Sequence, residues 1–274
     1  MKPVFANSAW VKAPEKLILR GGRWKQRYLR VRYGFFIHPK VGPILIDTGY
    51  TSHGLSAPGR SAWLRAYGHL LSPKLNLGAQ PASFLKRFGL APKDIKGIII
   101  THFHADHVSG LAGFPNARLI ASGVGYSNLQ KNSSLKNIRH GIFPELLPFN
   151  FSARLEPIED HSRAAVRQLP DSYDIFKDGS VMAVPLPGHA QGHFGVLFTQ
   201  NKTPLLYATD TQWLIDALQP SARPQLFPKL ISEDYGALCQ SADQVAAFHN
   251  SGGAVMLCHD DSSTQFDVEE GAQP

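Results

Sequence analysis

Residues 97–107 read Gly-Ile-Ile-Ile-Thr-His-Phe-His-Ala-Asp-His. An uninterrupted apolar run that gives way at once to polar side chains is the pattern of a short, fully buried strand ending at a functional loop. Within the six positions after Thr101 stand His102, His104, Asp106 and His107, three imidazoles and a carboxylate. In extended chain His102 and His104 point the same way, because successive side chains alternate; a turn into a helix at Val108 then brings Asp106 and His107 back toward the same point. Imidazole nitrogen and carboxylate oxygen are the donors that zinc and neighbouring divalent ions accept, and a catalytic site takes about three of them with one position left open. The loop therefore fills one site and begins a second.

The further ligands must come from elsewhere in the chain. His189, Asp210 and His259 each fall at the end of an expected strand or in the loop after it, where functional side chains collect. A single histidine is ordinarily solvated or satisfied in a core, and it is the set that points to metal. The other histidines, His38, His53, His69, His140, His161, His193 and His249, keep the ordinary reading. His193 stands closest to exception, since it lies near His189 and is placed to bond a ligand imidazole rather than an ion.

Working outward, residues 28–38 and 43–47 read as a hairpin closed by Pro39-Lys40-Val41-Gly42. Residues 52–80 are rich in Gly, Ser, Pro and His around an apolar segment, 62–71, that suits a helix lying over something else, a flap. A helix is expected at 81–88 with Phe84 and Leu85 on one side, stopped by Gly89, then strands at 95–101 and 118–121. In the mixed stretch 122–165, Phe143, Leu146, Leu147 and Phe149 either line a pocket or plug the core. Strands follow at 180–184, 194–199 and 205–209, a helix near 213–218, a helix at 237–249 and a last strand at 254–257. The acidic tail from Asp267 reads as frayed. The order predicts sheets covered by helices.

Composition bounds the rest. In 274 residues, 43% hydrophobic and 18% charged, there is room for a large core and little for disorder. Residues 1–274 are read as one domain, with flap or pocket-lining insertions near 52–80 and 122–165. The formal charge of +7 draws anions in general, but much of it lies at Arg20, Arg23, Lys25, Arg27, Arg30 and Arg32, where near-alternation suits the wet face of a strand rather than a nucleic-acid platform. Cys239 and Cys258 form no multi-bridge framework; a Cys258 thiolate would be a strong zinc ligand or an oxidation target, but alternation with His259 points it the other way, as a buried small hydrophobe. With no secretory h-region at the start and no membrane-length apolar run, the expectation is a cytoplasmic protein that needs neither membrane nor nucleic acid.

The motif His102 to His107, with the upstream Ile46-Asp47-Thr48-Gly49, the downstream Pro187-Gly188-His189 and a late Asp and His, resembles the metallo-β-lactamase superfamily through nearly the whole chain. The resemblance implies an α+β fold, an αβ/βα sandwich of two mixed β-sheets flanked by helices, with metals at one edge. Carried over, His102, His104 and His189 hold the first ion, Asp106, His107 and His259 the second, and Asp210 bridges them. Asp47 then accepts a ligand imidazole's other N–H, its structural alternative being a turn cap. Within the superfamily, Gly42 to Gly49, the stretch 84–95, Leu186 to His189 and Cys258-His259-Asp260 resemble the N-acyl-homoserine lactone lactonases, enzymes of quorum quenching.

That narrower resemblance implies two divalent ions, zinc by ligand chemistry, and a hydroxide that opens a lactone ring, with Asp106 and Asp210 in the catalytic roles. The acyl tail is expected against Trp63, Leu64, Leu70, Phe143, Phe149 and Trp213. One departure stands out: these lactonases usually carry a tyrosine three residues after the bridging Asp, and here Trp213 stands there. An indole N–H donates but cannot accept or transfer a proton as a phenol does. The alternatives are a thioesterase of glyoxalase-II type, or a phosphotriester or aryl-ester hydrolase on the same fold. The partner is a small ester or lactone, and a homodimer is allowed. The acidic C-terminus lacks a basic glutathione-binding helix, and a mononuclear iron oxygenase leaves Asp106, His107 and His259 without use.

Overall fold

The computed structural model describes residues 2–166, 168–224 and 226–268. In chain order the strands of the first sheet are β1 (Val4–Pro14), β2 (Gln26–His38), β3 (Gly42–Ile46), β4 (Lys74–Leu75), β5 (Gly97–Ile100), β6 (Arg118–Ala121) and β7 (Leu155–Pro157). Those of the second are β8 (Arg163–Val166), β9 (Leu169–Asp174), β10 (Val181–Pro185), β11 (Phe194–Phe198), β12 (Leu205–Thr209) and β13 (Ala254–Leu257). The first sheet runs β4-β1-β2-β3-β5-β6-β7 and the second β13-β12-β11-β10-β9-β8. Both are mixed. The β1, β2, β3 meander is antiparallel while β3, β5, β6 and β7 are parallel, and in the second sheet only β13 joins parallel to its neighbour.

The run Gly97 to Ile100 has no polar alternation because both faces of its sheet are covered. Ile99 turns inward between the sheets with Phe36, Ile44 and Ile46, meeting Phe194, Val196, Phe198 and Tyr207 of the second sheet. Ile98 and Ile100 turn the other way, into the helix-covered face with Leu45, Phe84 and Leu85. On the far side of the second sheet, Val184, Leu197 and Leu206 pack under Ala242 and Val245 of the long helix Tyr235–Asn250. The layers are helix, sheet, sheet, helix, as the α+β sandwich expectation requires. Each fully buried side chain of this size contributes about 1.5–3 kcal/mol of burial. Among the described residues no helix is long and apolar enough to cross a membrane.

Several local expectations need correction. The 11-residue β1, with Asn7 and Ser8 amid its apolar residues, was not anticipated. The helix expected at 81–88 is α-helical only over Pro81–Leu85 and tightens to a 3₁₀ turn at Lys86–Phe88; that near 213–218 is a 3₁₀ turn, Ile215–Leu218. Nor is the basic run a wet strand face throughout. Arg32 is fully buried, bonding Asp267 at 2.7 and 3.0 Å and the carbonyls of Leu257, Asp260 and Ser262. Arg27 pairs with Glu15 and Asp261, and Arg30 lies over the Trp10 ring. A buried guanidinium needs such a cradle, since desolvation otherwise outweighs its attraction.

Its partner corrects the frayed tail as well. Asp267 is clamped, with Phe5 N donating to Phe266 O and Val268 N to Phe5 O, so residues 266–268 lie along β1. The rest of that acidic tail, 269–274, lies outside the described residues.

Candidate metal centre

Four strand ends meet at one edge of the sandwich. Asp47 follows β3, Thr101 and His102 follow β5, Asp210 follows β12 and His259 follows β13; His189 comes from the turn between β10 and β11. His104 is the N-cap of the single helical turn Ala105–Val108, and that turn swings Asp106 and His107 back toward His102. The ring centroids of His102 and His107 are 3.9 Å apart, those of His104 and His189 4.6 Å.

One oxygen organises the cluster. Asp210 Oδ2 lies 3.8 Å from His102 Nε2, 3.3 Å from His189 Nε2, 3.5 Å from His107 Nε2 and 3.2 Å from His259 Nε2. Asp106 Oδ2 stands 3.6 Å from His107 Nε2 and 3.4 Å from His259 Nε2, and His104 Nδ1 stands 3.0 Å from His189 Nε2. Donor atoms at the corners of a tetrahedron around zinc are separated by roughly 3.3 Å, given bond lengths near 2.0–2.1 Å. Two donor sets of that size share Asp210: His102, His104 and His189 on one side, His107 and His259 on the other. Cys258 Sγ belongs to the second set by distance.

The hydrogen bonds orient the rings toward this point. Asp47, fully buried and at φ 58°, accepts from Thr101 N at 2.9 Å, from Thr101 Oγ1 at 2.8 Å and from His107 Nδ1 at 2.8 Å. His107 therefore carries its proton on Nδ1 and turns the Nε2 lone pair inward. His259 is fixed likewise, its Nδ1 donating to Arg30 O at 2.7 Å. His193 donates from Nδ1 to Leu186 O at 2.6 Å and meets Thr209 Oγ1 with its other nitrogen, which holds the strand end beneath Asp210. Burial, and then the neighbouring His189, pushes His193 down to about 3, so it is neutral. Burial and the crowding of neighbouring imidazoles likewise push His102 and His104 well below the ordinary histidine value. Burial opposes ionisation of Asp210, yet the adjacent His259 and His107 hold it well below the usual carboxylate range.

These residues fit metal ions. His102 Nε2, His104 Nε2, His107 Nε2 and Asp210 Oδ1 are buried without a hydrogen-bond partner, a costly arrangement for polar atoms unless something else satisfies them. Burial opposes protonation of His107 and His259 too, but Asp106 and Asp47 beside His107, and Cys258 and Asp210 beside His259, push both well above the ordinary histidine value. A divalent cation would take the place of those protons, and imidazoles and an ionised carboxylate converging on two points are a donor set for such ions.

Above the cluster opens a cavity of about 270 Å³. Its floor holds His104, Asp106, His189, Asp210 and His259; Leu17, Ile18, Leu29 and Ile231 make an apolar wall, and Lys12 and Arg139 stand among its lining. Trp213 lines it, with its ring 5.7 Å from that of His259. The other expected tail contacts do not line it. Phe149 is fully exposed, Trp63 is 59% exposed and Leu70 82%. Leu64 and Phe143 are buried in the core, Phe143 against the Tyr67 ring at 5.0 Å.

The helix Ala62–Leu71 does lie beside the cavity, but it contributes Tyr67 and Leu71. With Leu64 they form an i, i+3, i+7 stripe, and Trp63 and Leu70 fall one position to the side; that spacing was the signal available in the sequence. Tyr50, directly after the Asp-Thr-Gly turn, was also missed, as were Val11, Ala13 and Pro14 of β1, which line the cavity as well. Burial raises both phenols above their usual value, helped at Tyr50 by Tyr67 and then Asp106 and at Tyr67 by Asp106, so the hydrogen-bonded pair is neutral.

The comparisons with known proteins agree with this architecture. The model of the metallo-beta-lactamase superfamily matches residues 30–217, and the chain belongs to that superfamily. Among curated relatives, a probable metallo-hydrolase of Mycobacterium tuberculosis is 26% identical over 57% of this chain and 48% of its own length. The chain thus spans about half of the first curated relatives it matches. The N-acyl homoserine lactonase AttM of Azorhizobium caulinodans is 28% identical over 69% of this chain and 68% of that protein. The solved structure of an N-acyl homoserine lactone hydrolase with N-hexanoyl-L-homoserine at its catalytic metal centre superposes with a TM-score of 0.71 at 18% identity, covering 95% of this chain and 93% of that one. AidC, a dizinc quorum-quenching lactonase, gives 0.60 at 17% identity over 88% and 76%.

Proposed function

We propose that the protein is a metal-dependent hydrolase that opens the ring of a lactone carrying an apolar arm, of the N-acyl-homoserine lactone kind, with two zinc ions per chain. The observation that carries the reading is the single oxygen of Asp210 lying 3.2–3.8 Å from four imidazole nitrogens on the floor of an apolar cavity. His102, His104 and His189 would hold one ion, Asp106, His107 and His259 the other, with Asp210 within reach of both. Bound there, the ions would supply a hydroxide nucleophile at neutral pH and polarise the carbonyl under attack.

The chain's own side chains do the rest. Asp106 faces the cavity beside His259, in reach to orient the attacking water and pass its proton to the departing ring oxygen. Tyr67, hydrogen-bonded to Tyr50 behind it, offers a neutral O–H donor to substrate oxygens, a task for which the Trp213 indole has only its N–H. The wall of Leu17, Ile18 and Leu29 takes the acyl arm and keeps bulk water from the reacting carbonyl. Residues 1–274 act as one hydrolase domain in this reading, supported by the buried layer to which both sheets contribute. A cytoplasmic location goes with it.

The test is a substrate panel on zinc-loaded protein, following acid release from acyl lactones, glutathione thioesters and phosphotriesters. The highest kcat/KM is expected for an acyl lactone. A thioester or phosphotriester cleaved faster than every lactone would replace this reading with the corresponding hydrolase on the same fold.

A further inference from the structure

Cys258 stands where the buried layer between the sheets reaches the metal centre. It is fully buried beside Met256 and Tyr207 in that layer and does not line the cavity. Strand alternation alone sends its side chain away from His259. The chain turns at the end of β13, however, and Cys258 Sγ lies within 4.8 Å of the ligand atoms of His107, Asp210 and His259. Two of these neighbours hold buried polar atoms that lack a partner, His107 Nε2 and Asp210 Oδ1. The sulfur also meets the Arg32 carbonyl at 3.5 Å, a weak bond for a thiol donor.

We propose that Cys258 is a ligand of the second ion, entering from the buried floor opposite the cavity-facing Asp106. This rests on the two-ion reading above and adds to its second site, made by His107, His259, Asp106 and the shared Asp210, a thiolate. On binding, the S–H bond breaks, the proton leaves to solvent and a sulfur lone pair forms the bond to the ion, with no change of oxidation state. A thiolate is a soft donor, so the second site then favours zinc, cobalt or cadmium over manganese or magnesium. When no such ion is present the thiol keeps its bond to Arg32 O.

Zinc X-ray absorption on the wild-type protein carrying two ions tests this without any substitution. One sulfur scatterer at about 2.3 Å is expected beside the lighter donors. In the cobalt-substituted protein a sulfur-to-cobalt charge-transfer band is expected, lost in Cys258→Ser and kept in Cys239→Ser. The same Cys258→Ser change weakens the second zinc by at least about 10-fold, the lower bound for losing a partner one layer further from the ion. If Cys258→Ser does not fold, the wild-type absorption spectrum alone decides. Two zinc ions held by nitrogen and oxygen only, or a band that survives Cys258→Ser, overturns the Cys258 assignment and leaves lactone hydrolysis standing. Failure to bind a second ion at all overturns both.

Discussion

Replacing Asp47 by Asn exchanges one buried oxygen for an NH2 group and isolates what that carboxylate does for the centre. Asp47 Oδ1 accepts from Thr101 N, a bond the amide oxygen keeps. The other position now presents N–H toward Thr101 Oγ1 and His107 Nδ1, both of which donated to Oδ2 in the parent. Thr101 Oγ1 can turn its hydrogen away and accept from the new N–H, while still accepting from His102 Nδ1 at 3.2 Å. His107 can satisfy the new donor only by moving its proton to Nε2, which removes the lone pair aimed at Asp106 and Asp210. Loss of such an orienting partner weakens metal binding by about 10–100-fold, or about 1.4–2.7 kcal/mol.

Calorimetric titration of metal-free protein with zinc against a competing chelator reads the two sites separately. The expected outcome is one site weakened by that factor and the other, made by His102, His104 and His189, within about twofold of the parent. Metal-free Asp47→Asn also loses about 1–3 kcal/mol from the mismatched donors, seen as a lower Tm. Wild-type affinity at both sites in a folded Asp47→Asn protein would refute the orienting role.

Other expectations follow from particular contacts. Asp210→Asn removes the charge common to both donor sets, so metal analysis is expected to show less than one ion per chain and lactone hydrolysis to fall with it. Asp267→Ala leaves the buried Arg32 guanidinium uncompensated and is expected to cost about 3–5 kcal/mol in urea unfolding; a cost under about 1 kcal/mol removes Arg32 from the account of the C-terminal clamp. Trp63→Ala and Phe149→Ala are expected to leave kcat/KM for a long-chain lactone unchanged, whereas Leu17→Ala, on the cavity wall, raises KM. For His193 the folded value, about 3, lies below the ordinary 6.5, so the unfolded chain binds the proton first as pH falls. Its contribution is fully present above pH 6.5 and is lost between 6.5 and 3. In metal-free protein, His193→Gln is expected to flatten the stability profile in that window.

The parts of the molecule legible in the sequence are those governed by local pattern. Gly97 to Ile100 declared a strand buried on both faces, and the density of imidazoles after it declared a metal loop, because few other uses require three histidines in six positions. His189, Asp210 and His259 could be nominated because strand ends gather sites, Asp47 through the family resemblance, and their meeting point follows from the order of β3, β5, β12 and β13. What escaped depends on tertiary partners. Arg32 looked like a wet-face residue because its cradle, Asp267 and the carbonyls of 257–262, lies some 230 positions away. Trp63 and Phe149 were chosen for their size on loops, although exposure and helical phase place Tyr67 and Leu71 at the cavity instead. Cys258 was read by strict alternation, which stops holding once β13 ends.

The central claim is most directly tested by anomalous diffraction from crystals grown with zinc, recorded at the zinc edge. Two peaks are expected, one within bonding distance of His102, His104 and His189, the other of His107 and His259, with Asp210 touching both. A single peak, or two peaks with Asp210 bonded to neither, would contradict the shared-carboxylate centre and the hydrolytic chemistry built on it.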